Sequence, residues 1–104
     1  MESITQSPRF DEDGFLIDPE SWTDALAGRL AREDEVGELS EDHWSVLRAL
    51  REHYFNIQGV PAFSHVCALN NLERRCLDGL FKSPREAWRL AGLPNPGEEA
   101  KAYM

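Results

Sequence analysis

Leu39-Ser40-Glu41-Asp42-His43-Trp44-Ser45-Val46-Leu47-Arg48-Ala49-Leu50-Arg51-Glu52-His53-Tyr54-Phe55-Asn56-Ile57-Gln58 is the stretch on which the fold turns. Ser40 is placed to accept a first-turn N–H, and Glu41 and Asp42 follow at the positive end of the helix dipole. Leu47, Leu50, Tyr54 and Ile57 form one apolar stripe. Trp44, Val46, Ala49 and Phe55 widen it until two sides of the helix ask for burial, so this is read as a central helix from Ser40 to Gln58. Gly59 and Pro61 close it.

On the N-terminal side, Asp18-Pro19 precedes a helix expected from about Ser21 or Thr23 to Glu35, with Trp22, Leu26 and Leu30 as its apolar ridge and Gly37 as its stop. Still earlier, Ile4 and Phe10 lie before Asp11-Glu12-Asp13-Gly14, and Phe15-Leu16-Ile17 lie after it. Asp13-Gly14 tolerates the positive φ of a tight turn, which predicts a small β-hairpin packed on the helices. On the C-terminal side, a third helix is expected from Pro61 to about Leu72 with Phe63, Val66, Leu69 and Leu72 inward, and a short piece from Arg74 to Leu80. In the last helix Ser83 is the cap, Pro84 the first helical residue and Glu86 the partner of a capping box. Gly92 and Pro94 end it, so Leu93 should fold back onto it, and the remainder is expected as an exposed tail.

The chain has 104 residues, 41% of them hydrophobic, with ten aromatics, which suits one domain with its own core. No apolar run is long enough to span a membrane, and Met1-Glu2-Ser3 lacks the features of a secretory signal. A soluble cytoplasmic protein is therefore expected, with Cys67 and Cys76 as free thiols. Residues 1 to 60 carry 14 Asp/Glu against five Arg, while residues 61 to 104 carry five against six Lys/Arg. The overall −8 disfavours a general phosphate-binding surface.

Little in the sequence carries chemistry alone. Glu33-Asp34-Glu35 and Asp11-Glu12-Asp13 fall where solvation is easy, so paired acid–base work is not expected. His65-x-Cys67 and Cys76 lack the compact spacing of structural zinc sites, and no metal or cofactor is assigned. His43 and His53 have no partner legible in the sequence. Cys76 follows Arg74-Arg75, which favours a thiolate, yet both cysteines lie among Val66, Leu69, Leu72, Leu77 and Leu80, where small thiols are ordinary core residues. There is no glycine-rich phosphate loop and no nucleophile elbow.

The order of segments resembles the DsrC/TusE family of sulfur-relay proteins over residues 10 to 96. The resemblance is carried by Asp13-Gly14-Phe15-Leu16, by Trp22, by Leu39 to Val46 leading into Arg51-Glu52-His53-Tyr54, by Pro61-Ala62, and by Ala91-Gly92-Leu93-Pro94-Asn95-Pro96. It implies a mainly α (α+β) fold in which a small N-terminal β-hairpin packs on an orthogonal bundle of about five helices. That domain spans residues 1 to 96, with a flexible C-terminal arm at 97 to 104. Family members carry sulfur on a penultimate cysteine of that arm, because a mobile thiol can visit successive partners and exchange persulfide. The matching position here is Glu99, and the second cysteine of dissimilatory-type members falls on Trp88.

With both positions filled by residues that cannot hold sulfane sulfur, the resemblance implies a non-catalytic interaction or regulatory member that docks on sulfur-relay or sulfite-reductase-type partners. The expected docking residues are Leu93, Pro94 and Pro96 with Arg85, Arg89, Arg74 and Arg75. One alternative is a relay sulfurtransferase using Cys76 or Cys67 as a displaced carrier. A second is a helix-turn-helix nucleic-acid-binding regulator built from the helices after Pro61, with Arg74, Arg75, Arg85 and Arg89 on phosphates.

Overall fold

The computed structural model describes residues 8–57, 59–102 and 104. Among the described residues, six α-helices follow a 3-10 turn at Pro19–Ser21: α1 (Asp24–Glu33), α2 (Glu41–Ile57), α3 (Phe63–Leu69), α4 (Cys76–Phe81), α5 (Pro84–Leu90) and α6 (Glu98–Lys101). The long α2 packs against α3, α4 and α5, while α1 packs on α5. Val46, Leu47 and Leu50 of α2 are fully buried, as are Leu30 and Ala31 of α1 and Trp88 and Leu90 of α5. Fully burying a side chain the size of Leu is worth about 1.5–3 kcal/mol, so this shared core carries the fold.

The helix ends follow local chemistry. The Thr23 hydroxyl accepts the Leu26 N–H at 3.0 Å, and α1 starts one residue later. Ser40 and His43 cap α2 reciprocally: the Ser40 N–H reaches His43 Nδ1 at 3.0 Å, and the His43 N–H reaches the Ser40 hydroxyl at 3.4 Å. Because Nδ1 accepts, the ring proton sits on Nε2, which donates to the Leu80 carbonyl at 2.9 Å and ties α2 to the end of α4. Ser83 accepts the Glu86 N–H at 3.1 Å, but the Glu86 side chain does not return to Ser83; its carboxyl turns toward Asp34.

Leu69 and Ile57, expected to face inward, are exposed, and two larger expectations are corrected. Among the described residues no β-strand forms, and the expected hairpin reduces to a single antiparallel bridge between Phe10 and Leu16. The Asp11 carboxylate accepts the N–H groups of Asp13 and Phe15, both at 2.9 Å, and so turns the chain tightly. Phe15 and Leu16 then both enter the core as neighbours, which a period-two ladder does not permit. Ile4, assigned to one flank, lies outside the described residues, as does Gln58. The second correction concerns the thiols: Cys67 and Cys76 are joined in a disulfide. The turn after α3 folds α4 back on it and brings the two inward-facing side chains to a Cα–Cα distance of 5.8 Å.

Candidate functional site

The C-terminal elbow, Ala91 to Pro96, is held by the body at nearly every residue. Gly92 adopts φ 70°, its N–H returning to the Arg89 carbonyl at 3.0 Å, and Leu93 swings back into the core with no exposed surface. A side chain at Gly92 would run into the Trp22 indole, so the close approach as well as the positive φ demands glycine.

The last carbonyls of α5 would otherwise be orphaned. The Trp22 indole N–H donates to the Leu90 carbonyl at 2.8 Å. Arg51, reaching across from α2, donates through Nη1 to the Ala91 carbonyl at 2.8 Å and through Nη2 to the Pro19 carbonyl at 3.0 Å. Its guanidinium lies 4.3 Å from the Trp22 ring centre and 5.1 Å from that of Phe55. Burial holds its pKa below the usual arginine value, and the carbonyl end of α5 is the favourable place for a cation. Beneath the elbow, Trp88 is 1% exposed and donates its indole N–H to the Pro94 carbonyl at 2.8 Å. A cleft of about 270 Å³ opens between the elbow and the end of α2, lined by Tyr54, Val60, Trp88, Pro94 and Pro96.

A second cluster binds the other side of α5. Arg89 Nε meets Asp34 Oδ2 at 2.7 Å, and Arg89 Nη1 donates to the Gly14 carbonyl at 2.5 Å. The Lys82 ammonium donates to the Asp34 backbone carbonyl at 3.0 Å. Glu86 faces the same aspartate. Burial first, then the neighbouring Asp34 carboxylate, push the Glu86 carboxyl up to about 8, so it holds a proton that it can share with Asp34. Burial alone would raise Asp34 as well, but Arg89 and Glu86 hydrogen-bond it and hold it below its ordinary value. Burial likewise works against the charged form of Arg89, and the bond to Asp34 outweighs it.

The expected docking residues therefore have different situations. Pro94 and Pro96 border the cleft, whereas Leu93 lies in the core. Arg85 is exposed, its guanidinium 5.4 Å from the Phe15 ring centre, and Arg89 is engaged by Asp34. Arg74 and Arg75 lie elsewhere, around a groove shared with Phe63, Leu77 and Pro84, and Arg75 pairs with Asp78 at 3.0 Å. The four arginines named for phosphate contact are thus split between two places. Glu99 is exposed on α6. The segment read as a tail reaches back to the first turn: Asn95 donates to Asp11 and Asp13 at 3.0 Å each, and the Lys101 ammonium contacts Asp13 at 2.5 Å. The Lys101 bond lowers the Asp13 pKa and Asp13 raises that of Lys101. Among the described residues no group of three or more His, Cys, Asp or Glu is placed to hold a metal ion, and no helix is long and apolar enough to cross a membrane.

Arg51 and His43 are the site-forming residues that sequence reasoning missed. A cation set among the apolar residues Leu47, Leu50, Tyr54 and Phe55 of one helix side was the available signal for Arg51, and a histidine three residues after a Ser cap was that for His43.

Comparison with known proteins gives a consistent result. The family described as DsrC like protein matches residues 3–98. Sulfurtransferase TusE of Salmonella choleraesuis is 37% identical over 95 residues, covering 83% of this chain and 86% of that protein. The crystal structure of the oxidized gamma-subunit of the dissimilatory sulfite reductase (DsrC) from Archaeoglobus fulgidus superposes with a TM-score of 0.77 at 30% identity, covering 89% of this chain and 92% of that one. The NMR structure of Allochromatium vinosum DsrC gives 0.75 at 29% identity, covering 94% and 95%. With the helical body, the glycine-bearing elbow and these matches in agreement, the chain belongs to the DsrC-like family of sulfur metabolism, which includes the TusE sulfurtransferases.

Proposed function

We propose that this chain is a non-catalytic docking member of its family, which engages sulfur-relay or sulfite-reductase-type proteins and regulates them by occupancy, without carrying sulfur. The observation that carries this reading is the residue set of the C-terminal segment: Gly97-Glu98-Glu99-Ala100-Lys101-Ala102-Tyr103-Met104 contains no thiol. At the position matched to the second family cysteine stands Trp88, a buried strut under Pro94. On this reading the body, residues 1–96, supplies the recognition surface through the cleft at Pro94 and Pro96 and the exposed Arg85. The arm, 97–104, is fastened by polar contacts that a partner can replace, and the cytoplasmic setting belongs to the same proposal. A carrier role for Cys67 or Cys76 is disfavoured by their bond to each other and by their place on α3 and α4 rather than on the arm.

The test is competition. A purified persulfide donor and a cysteine-bearing DsrC-like relay protein are mixed with increasing amounts of this chain. Sulfur transfer should slow in proportion to occupancy, while the mass of this chain stays unchanged. Transfer at an undiminished rate, or sulfur retained on this chain, refutes the proposal.

A further inference from the structure

The Cys67–Cys76 bond lies at a joint between two short helices. It connects α3, seven residues long, to α4, six residues long, and neither has a side-chain N-cap. Helices this short do not hold themselves in water and depend on tertiary constraint. The turn between them passes through Asn71 at φ 58°, a left-handed conformation for a residue with a side chain. The far end of α4 is secured separately by the His43 bond to the Leu80 carbonyl and the edge-on contact of His43 with Phe81. At the near end of α4 the disulfide ties Cys76 to α3, next to the buried Leu77.

The two cysteines differ in exposure. Cys67 has no exposed surface, whereas Cys76 is 7% exposed and helps to line an open groove of about 470 Å³ with Asp42, Leu72, Glu73, Arg75 and Leu80. We propose that this bond is a redox-active site that takes a dithiol reductant at Cys76 Sγ, and that opening it unlocks the α3–α4 joint while α1, α2 and α5 stay packed. This inference does not depend on the docking role proposed above.

The exchange proceeds in two displacements. A thiolate of the dithiol attacks Cys76 Sγ, forms a mixed disulfide and expels Cys67 as a thiolate, which takes up a proton. The second thiolate of the reductant then attacks its own sulfur in the mixed disulfide, closes the reductant's disulfide and expels Cys76, which is protonated in turn. Two electrons pass from the dithiol to the protein bond, and two protons end on the cysteines.

The full chain, oxidised in air, is treated with dithiothreitol in native buffer, and both forms are alkylated, weighed and followed by amide exchange. No alkyl adduct is expected before treatment and two after it. Exchange across residues 63–76 should accelerate by at least about tenfold, while α2 and α5 keep their protection. Reoxidation should restore the original pattern. A C67A/C76A double variant should exchange rapidly in this segment in any redox buffer. Adducts on the air-oxidised chain, reduction only in denaturant, unchanged exchange after reduction, or a double variant that matches the oxidised protein would each overturn the proposal.

Discussion

Replacing Glu86 by Gln isolates the proton held between Asp34 and Glu86. In the unfolded chain Glu86 titrates near its ordinary 4.5, and in the folded protein near 8. Between those values the native state binds the extra proton, so raising the pH removes stability throughout the window. Below it both states are protonated and this contribution is fully present; above about 8 it is gone. Fully realised, such a shift would amount to about 5 kcal/mol. The residue is only half-buried and its carboxyl stands beside Arg89 and Lys82, so screening leaves about 1–2 kcal/mol. The amide introduced by E86Q keeps the shape, donates to Asp34 and does not titrate. Urea unfolding of the oxidised protein from about pH 5 to about pH 8 should therefore show a decline in the wild-type chain that E86Q lacks, with the variant the more stable at the upper end. Parallel curves for the two proteins would refute a protonated Glu86.

Arg51→Met removes two charged hydrogen bonds to backbone carbonyls and the stacking on Trp22, and should cost about 2–4 kcal/mol in urea unfolding. Arg51→Lys should recover less than half, because an ammonium cannot fork or stack as a guanidinium does. Gly92→Ala meets both the positive φ and the Trp22 indole, and should lose about 2–4 kcal/mol, seen as a thermal midpoint lower by roughly 10 °C or more. Asp13→Asn should leave the global midpoint unchanged while amide exchange in residues 98–102 accelerates, since it removes the ion pair to Lys101 while Asn95 keeps its bond to Asp11. Acid should do the same in the wild type. The Asp13 pKa is lowered in the folded chain, so its contact is present above the ordinary 3.8 and is lost as the pH falls through the lower, folded value.

Where a residue's local chemistry specifies its own neighbourhood, the sequence was readable. Ser83 and Pro84 opened α5, and Gly92 followed by Leu93 and Pro94 required a turn that returns an apolar residue to the core; both are seen. Thr23 and the stripe of Leu47 and Leu50 were equally legible. Phe10 to Ile17 misled because Asp-Gly between apolar runs signals a hairpin only if the flanks alternate, and Phe15-Leu16 are buried side by side. The disulfide was invisible because a nine-residue separation across two helices says nothing of distance until their packing is known. Arg51 was missed because a charged helix residue is by default solvated, and its acceptors lie 32 to 40 residues away along the chain. The Glu86 carboxyl left its expected capping box because Asp34, 52 positions earlier in the chain, offered a partner for its proton.

The proposed role depends on whether sulfur can reside on this chain. The most direct measurement is the intact mass of the wild-type chain and of an E99C variant after each is exposed to a persulfide donor and freed of it. The wild-type mass should be unchanged and E99C should gain the mass of a sulfur atom, removable by mild reductant. A wild-type chain that retains the added sulfur, or an E99C variant that never acquires it, would contradict the account.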